Sequence, residues 1–266
     1  MRDLFLCSQA LVGMVHVQAL PGTPGNTQGP DEIIRCAVAE AEVLAQAGYD
    51  GVILENMHDL PYLNRTVGPE IVSMMACICR EVRRELKLPL GIQILAGANE
   101  AALSVAYAGG ADFIRAEGFV FSHTADEGIM NACAGPLLRF RKQIGAERVK
   151  ILCDIKKKHC AHALTQDVDL PETVRAAEFF KADGVIVTGV STGRQTDSDA
   201  LNEAAQASAL PVWVGSGLTP ENLRLYERAH GLIVGSWIKQ DGDWRKPVDK
   251  ARAEQMVAAF QALEGS

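Results

Sequence analysis

The 266-residue chain predicts a single α/β domain, a (β/α)8 TIM barrel, on three observations. Eight short apolar runs rich in β-branched residues recur along it, alternating with segments of helical apolar spacing. The length suits one such barrel. The last two runs close on glycines, Pro211-Val212-Trp213-Val214-Gly215-Ser216-Gly217 and Gly231-Leu232-Ile233-Val234-Gly235-Ser236, where that fold commonly holds phosphate.

The predicted strands are 12–17, 51–55, 90–95, 113–117, 149–156, 184–188, 212–215 and 232–235. The predicted helices are 31–47, 69–86, 99–108, 126–144, 171–181, 197–209 and 220–229, with 251–263 closing the chain. Repeated strand-then-helix order implies parallel strands joined by right-handed crossovers. Gly48 is placed to end the first helix, Asp169 rather than Thr173 to cap the fifth, and Thr219-Pro220 to open the seventh. A doubly wound sheet is the alternative, but no G-x-G-x-x-G follows the first strand, only Gly22-Thr23-Pro24-Gly25. With no linker or low-complexity tract, one domain over 1–266 is expected.

Composition narrows the function. At 48% hydrophobic and 22% charged, the chain can bury a large core and is not of the disordered class. A net charge of −7 argues against nucleic acid or an anionic membrane as partner. A small anion stays compatible, because the local field of a cleft can oppose the global sign. No apolar run reaches the roughly 18–20 residues of a membrane span. The apolar part of Met1–Cys7 is too short for a signal peptide, so a cytoplasmic location is expected. Seven cysteines without a C-x-x-C pair fit reduced thiols better than a disulfide framework. Oligomeric state is left open, a homo-oligomer included.

Charged residues on inward positions of an apolar barrel need a reason. Strand alternation puts His16 near the mouth, with Glu55 and Asn56 ending the second strand, Gln93 in the third, and Arg115 and Glu117 on one face of the fourth. In the fifth strand Leu152, Asp154, Lys156 and Lys158 alternate against Ile151, Cys153 and Ile155, so Asp154 and Lys156 are expected to point inward. His159 follows, and Lys157 reads as solvated. Candidate catalytic residues are therefore Lys156, Asp154, His16, Glu55, Arg115, Glu117 and His159. Gly215, Ser216, Gly217, Gly235 and Ser236 form the phosphate candidate, with Asn56, Gln93, Thr188 and Gly189 as substrate contacts. The structural alternatives are a strand-end ion pair for Arg115 and Glu117, a hydrogen-bonded core histidine for His16, and a tight turn for Gly215-Ser216-Gly217. No cofactor is predicted. A divalent metal on His16, Glu55, Asp154 and His159 is a lesser alternative, since no local ligand spacing supports it.

These residues also carry a family resemblance. Val12-Gly13-Met14-Val15-His16 leading to Leu20-Pro21-Gly22-Thr23-Pro24 resembles the opening of the BtpA family, also called BtpA/SgcQ or the photosystem I biogenesis family. The likeness continues through Glu55-Asn56, Gly110–Glu117, Asp154–His159, Val187-Thr188-Gly189 with Thr192-Gly193, Val214–Gly217 with Glu221-Asn222, and Ile233–Ser236. Lys239-Gln240-Asp241-Gly242 and Pro247-Val248-Asp249 complete it, over roughly residues 11–255. The resemblance implies the TIM barrel of ribulose-phosphate-binding type and either a sugar-phosphate enzyme or a role in accumulating photosystem I proteins. Asp154-Ile155-Lys156 is also similar to the Asp-x-Lys of orotidine-phosphate decarboxylase relatives. His159 stands where their second aspartate would fall, so decarboxylation is not carried over.

The expected function is an enzyme acting on a phosphorylated sugar or similar small metabolite by isomerase or lyase chemistry. Lys156 would serve as base, electrophile or Schiff-base former, oriented by Asp154, with His16 or Glu55 moving protons. The alternatives are a non-catalytic assembly or stability factor and a metal-dependent hydrolase using His16, Glu55 and Asp154.

Overall fold

The computed structural model describes residues 4–5, 7–157, 159–189 and 196–264. Lys158, Thr192-Gly193, Met1–Asp3 and Leu6, all used in the sequence reading, lie outside the described residues. Among the described residues eleven strands form: β1 (Ala10–His16), β2 (Gly51–Glu55), β3 (Leu90–Gln93), β4 (Phe113–Ala116), β5 (His123–Ala125), β6 (Gly128–Met130), β7 (Lys150–Ile155), β8 (Cys160–Ala161), β9 (Gly184–Val187), β10 (Val212–Val214) and β11 (Gly231–Val234). Eight of them close into a parallel barrel in the order β1–β11–β10–β9–β7–β4–β3–β2. The helices are α1 (Pro30–Ala47), α2 (Pro69–Glu85), α3 (Asn99–Gly109), α4 (Ala134–Gln143), α5 (Leu170–Phe179), α6 (Ser198–Ala207) and α7 (Lys250–Glu264).

Local chemistry explains the helix ends. Gly48 takes φ 101° and returns its N–H to the carbonyls of Leu44 and Ala45, closing α1. The Asp169 carboxylate accepts the Glu172 N–H at 2.7 Å, capping α5. The apolar faces of α1 (Ile33, Ala37, Ala41, Leu44) and α2 (Ile71, Met75, Ile78, Val82) bury against the outward strand residues Val15, Leu54 and Ile92 in one large core.

A second, inner core fills the barrel. Val12, Met14, Ile53, Phe113, Leu152, Ile186, Trp213 and Ile233 pack across its axis, and Phe5 plugs the bottom, its ring 5.2 Å from Trp213 and 6.1 Å from Phe113. Large residues face glycines here: a Cβ at Gly231 would sit 2.3 Å from the Trp213 ring. One step further up β1, β2, β3, β4 and β7 the inward residues are His16, Glu55, Gln93, Arg115 and Asp154, and this change of layer makes the site.

Two predicted helices are corrected. Residues 126–144 are not one helix: β5 and β6 form a hairpin turned at Asp126-Glu127, with Gly128 at φ 103° opening β6, β8 joins as a third antiparallel strand, and only α4 is helical. Tertiary pairing of Thr124 with Ala161 and Ala125 with Cys160 outweighs the local helical spacing. Residues 220–229 give only a short 3₁₀ turn, Leu223–Tyr226. There Thr219 does not cap a helix; the Asn222 side chain accepts from Thr219 N and donates to Gly217 O.

Candidate functional site

A cavity of about 470 Å³ opens at the C-terminal ends of the barrel strands. Its floor is the polar layer His16 (β1), Glu55 (β2), Gln93 (β3), Arg115 (β4), Glu117 and Asp154 (β7). One wall is Gly215, Ser216 and Gly217 after β10 with Gly235 and Ser236 after β11. Met57, Tyr62, Leu95, Trp237 and Trp244 supply apolar surface, and Asp126, Glu127 and His159 reach the rim.

Two ion pairs and one histidine–carboxylate contact organise the floor. Arg115 Nε donates to Asp154 Oδ1 and Oδ2 at 3.1 and 3.2 Å, and a terminal guanidinium nitrogen lies 3.0 Å from Oδ1. Both groups are buried. Burial pushes the Asp154 carboxyl up against the pull of Arg115. Burial opposes the charge on Arg115, but Asp154, Glu55 and Glu117 outweigh it and hold the guanidinium cationic. Lys157 Nζ meets Glu117 Oε1 at 2.9 Å. Burial alone would raise the Glu117 carboxyl, yet the Lys157 ammonium brings it below the usual range. Lys157 is raised in turn by Glu117 despite its burial, so it is an ammonium at neutral pH. His16 Nε2 lies 3.7 Å from Glu55 Oε2, and Nδ1 lies 2.9 Å from the Trp244 carbonyl. A carbonyl only accepts, so Nδ1 carries a proton and Nε2 is the nitrogen turned to Glu55 and the cavity.

The loop holding Trp244 is itself anchored. Lys239, fully buried, donates to Glu40 Oε2 at 2.7 Å, and that oxygen also accepts from Val248 N at 3.3 Å. The pair ties the loop after β11 to α1, and the Trp244 ring stacks 5.3 Å from His58.

Lys156 does not point into the barrel. Its φ of 44° breaks the extended path after Ile155 and rotates the alternation, so its Nζ donates to Thr165 O at 3.4 Å, beside a small side cavity. Lys157, read from the sequence as solvated, enters the mouth instead. Asn56 does not line the cavity: its amide donates to Asp59 and accepts from Leu95 N, joining the loops after β2 and β3. Thr188 and Gly189 do not line the cavity, and Gly189 N donates to Ser216 Oγ at 2.7 Å. The others, His16, Glu55, Gln93, Arg115, Glu117, Asp154, His159 and the five glycine-turn residues, surround one space. Gly215 is required sterically, since a Cβ there would lie 2.5 Å from Ile186 and 3.1 Å from Arg115. Gly217 is required conformationally, at φ 69°. Among the described residues no three His, Cys, Asp or Glu side chains are arranged to hold a metal ion, and the Asp154 oxygens are already taken by Arg115.

Sequence reasoning also missed Lys157, Tyr62, Trp237 and Trp244. A run of Lys156-Lys157-Lys158 offers no sign of which lysine turns inward, and the tryptophans sit on a loop without periodicity. His123 is a further buried group: its ring lies 5.6 Å from His162, and burial, then Lys157 and His162, bring it down to about 4. The folded protein therefore binds a proton at His123 less readily than the unfolded chain, and stability falls as pH drops from 6.5 towards 4. The expected loss is about 3 kcal/mol across that window. Urea unfolding at pH 7 and pH 4.5 checks it: His123→Phe should flatten the slope relative to the parent chain.

The fold and the mouth define the class: a (β/α)8 TIM barrel whose C-terminal face carries a polar cavity. The chain belongs to the BtpA family, whose profile matches residues 7–262. It is 47% identical over 257 residues to an uncharacterized mitochondrial protein of Caenorhabditis elegans, covering 95% of this chain and 93% of the relative. It is 32% identical over 263 residues to the photosystem I biogenesis protein BtpA of Synechocystis, covering 97% and 91%. Among solved structures it is similar in fold to phosphoribosylanthranilate isomerase from Thermotoga maritima, with TM-score 0.56, 14% identity and 95% and 99% coverage. Orotidine 5′-phosphate decarboxylase from Pyrococcus horikoshii matches with TM-score 0.57, 13% identity and 94% and 99% coverage. No described helix is long and apolar enough to cross a membrane.

Proposed function

We propose that this protein is an enzyme acting on a phosphorylated sugar or a similar small phosphorylated metabolite, by isomerase or lyase chemistry. The observation that carries the reading is the pairing, in one cavity, of the glycine turns after β10 and β11 with a floor of buried ion pairs. The Gly215 N–H is committed to Val187 O, so the amides of Gly217, Gly235 and Ser236, with the Ser216 and Ser236 hydroxyls, are the proposed phosphate donors. His16 and Glu55 would move a proton between neighbouring carbons of the substrate. The Lys157 ammonium would stabilise the negative charge that develops on the adjacent oxygen. Arg115 and Asp154 hold the floor, and His159 stands at the rim. Both solved proteins of similar fold are named for phosphorylated ribosyl compounds, which agrees with this reading. The seven cysteines form no disulfide, which favours a reducing compartment, the cytoplasm or, as the worm relative is named, the mitochondrion.

A thermal-shift screen of phosphorylated sugars, inorganic phosphate and the free sugars tests it. A phosphorylated ligand at 100 times its Kd should stabilise the fold by about 2.7 kcal/mol, and Ser236→Asp, which adds a negative charge to the cradle, should abolish the shift. Failure of every phosphorylated compound to raise the melting temperature would overturn the reading. A ligand that binds but is never turned over would favour the assembly-factor alternative.

A further inference from the structure

Two acceptors in the cavity floor are unusual. Gln93 Oε1 and Glu117 Oε2 are buried side-chain atoms that accept no hydrogen bond from the protein, and their residues are only 3% and 6% exposed. Both residues line the cavity. Leaving a buried acceptor unpaired is costly, so such atoms ask for a partner. The amide orientation follows from chemistry: Gln93 Nε2 lies 3.5 Å from Glu117 Oε1, and turning the amide over would set its oxygen against that carboxylate. Glu117 Oε1 is also held by Lys157, which leaves Oε2 as the unpaired acceptor.

The barrel order fixes where these atoms lie. In the closed ring β3 stands opposite β10 and β4 opposite β11. Gln93 and Glu117 therefore face the glycine turns across the full width of the mouth. An anion cannot occupy the Glu117 end, and a second cation there would meet Lys157 and Arg115. Neutral donors satisfy both conditions.

We propose that Gln93 and Glu117 form a hydroxyl-reading subsite that accepts hydrogen bonds from two neighbouring hydroxyls of a sugar whose phosphate lies across the barrel on the turns after β10 and β11. This deepens the proposed function and rests on it for the phosphate end. The substrate class is thus a polyhydroxylated sugar phosphate. A site built to accept from a hydroxyl rejects the analogue lacking it, because the buried acceptor is then stranded.

Isothermal titration with matched probes tests this: ribose 5-phosphate against 2-deoxyribose 5-phosphate, glucose 6-phosphate against 2-deoxyglucose 6-phosphate, inorganic phosphate, and free ribose against 2-deoxyribose. At least one hydroxylated probe should bind about 10-fold or more tightly than its deoxy partner. Gln93→Met should erase that preference while leaving inorganic phosphate binding unchanged. Phosphate binding without hydroxyl discrimination in the parent chain, or discrimination that survives Gln93→Met, would overturn the subsite alone. Discrimination between the free sugars with no phosphate binding would overturn the phosphate reading alone. Binding of no probe would overturn both. The parent chain's own preference keeps the test decisive if Gln93→Met does not fold.

Discussion

Lys157→Met is expected to lower turnover of the compound found by the phosphate screen by about 10²–10³-fold, while Lys156→Met changes it by less than about threefold. The two side chains are one residue apart and differ in direction. Lys157 Nζ stands on Glu117 in the cavity floor, where the carboxylate keeps it an ammonium despite its burial. Lys156 leaves the strand at φ 44° and spends its ammonium on the Thr165 carbonyl. A preorganised cation is worth most where water is excluded, so only the inward lysine affects a charge developing in the cavity. Loss of Lys157 also removes the main influence holding Glu117 below the usual carboxylate range. Burial then dominates, and the acid limb of the pH–rate profile should move upward. The comparison is read from steady-state kinetics of both variants across pH, and equal losses in the two would refute it.

Arg115→Met should destabilise the fold by about 3–5 kcal/mol at neutral pH, because it strands the Asp154 carboxylate in the polar layer under the cavity. The sign of the pH dependence follows. Burial already raises Asp154, and removing the guanidinium raises it further, so the folded variant binds the proton more tightly than the unfolded chain. The deficit is then largest above the folded pKa of Asp154 and shrinks as pH falls through it. Urea denaturation at several pH values measures this. Adding Asp154→Leu to the variant should recover most of the stability without restoring ligand binding, since no stranded charge remains. A deficit that is small, or independent of pH, would show that the pair is not desolvated as the structure has it.

The barrel was legible in the sequence because its evidence is local and repeated. Every predicted strand overlaps an observed one, and Gly48 and Asp169 end and begin helices through their own backbone and side-chain hydrogen bonds. The glycine turns after β10 and β11 were legible for the same reason. The inward polar layer was legible as far as strand alternation holds, which singled out His16, Arg115, Glu117 and Asp154, and these line the cavity floor together with Glu55 and Gln93. Alternation ends with the strand. Beyond Ile155 one positive φ exchanged Lys156 for Lys157, a difference no two-residue period can express.

What the sequence by itself determined is thus the eightfold strand–helix order, the family, and the charge and glycine content of the barrel's C-terminal face. Each of these depends on residue type and short-range spacing. Tertiary structure alone decided which lysine enters the site, that 123–130 folds as a hairpin paired with Cys160–Ala161, and that the Trp244 carbonyl selects the proton-bearing nitrogen of His16. Those outcomes depend on groups distant in sequence meeting in space. His16 and Trp244, 228 residues apart, have no local term that could announce their hydrogen bond.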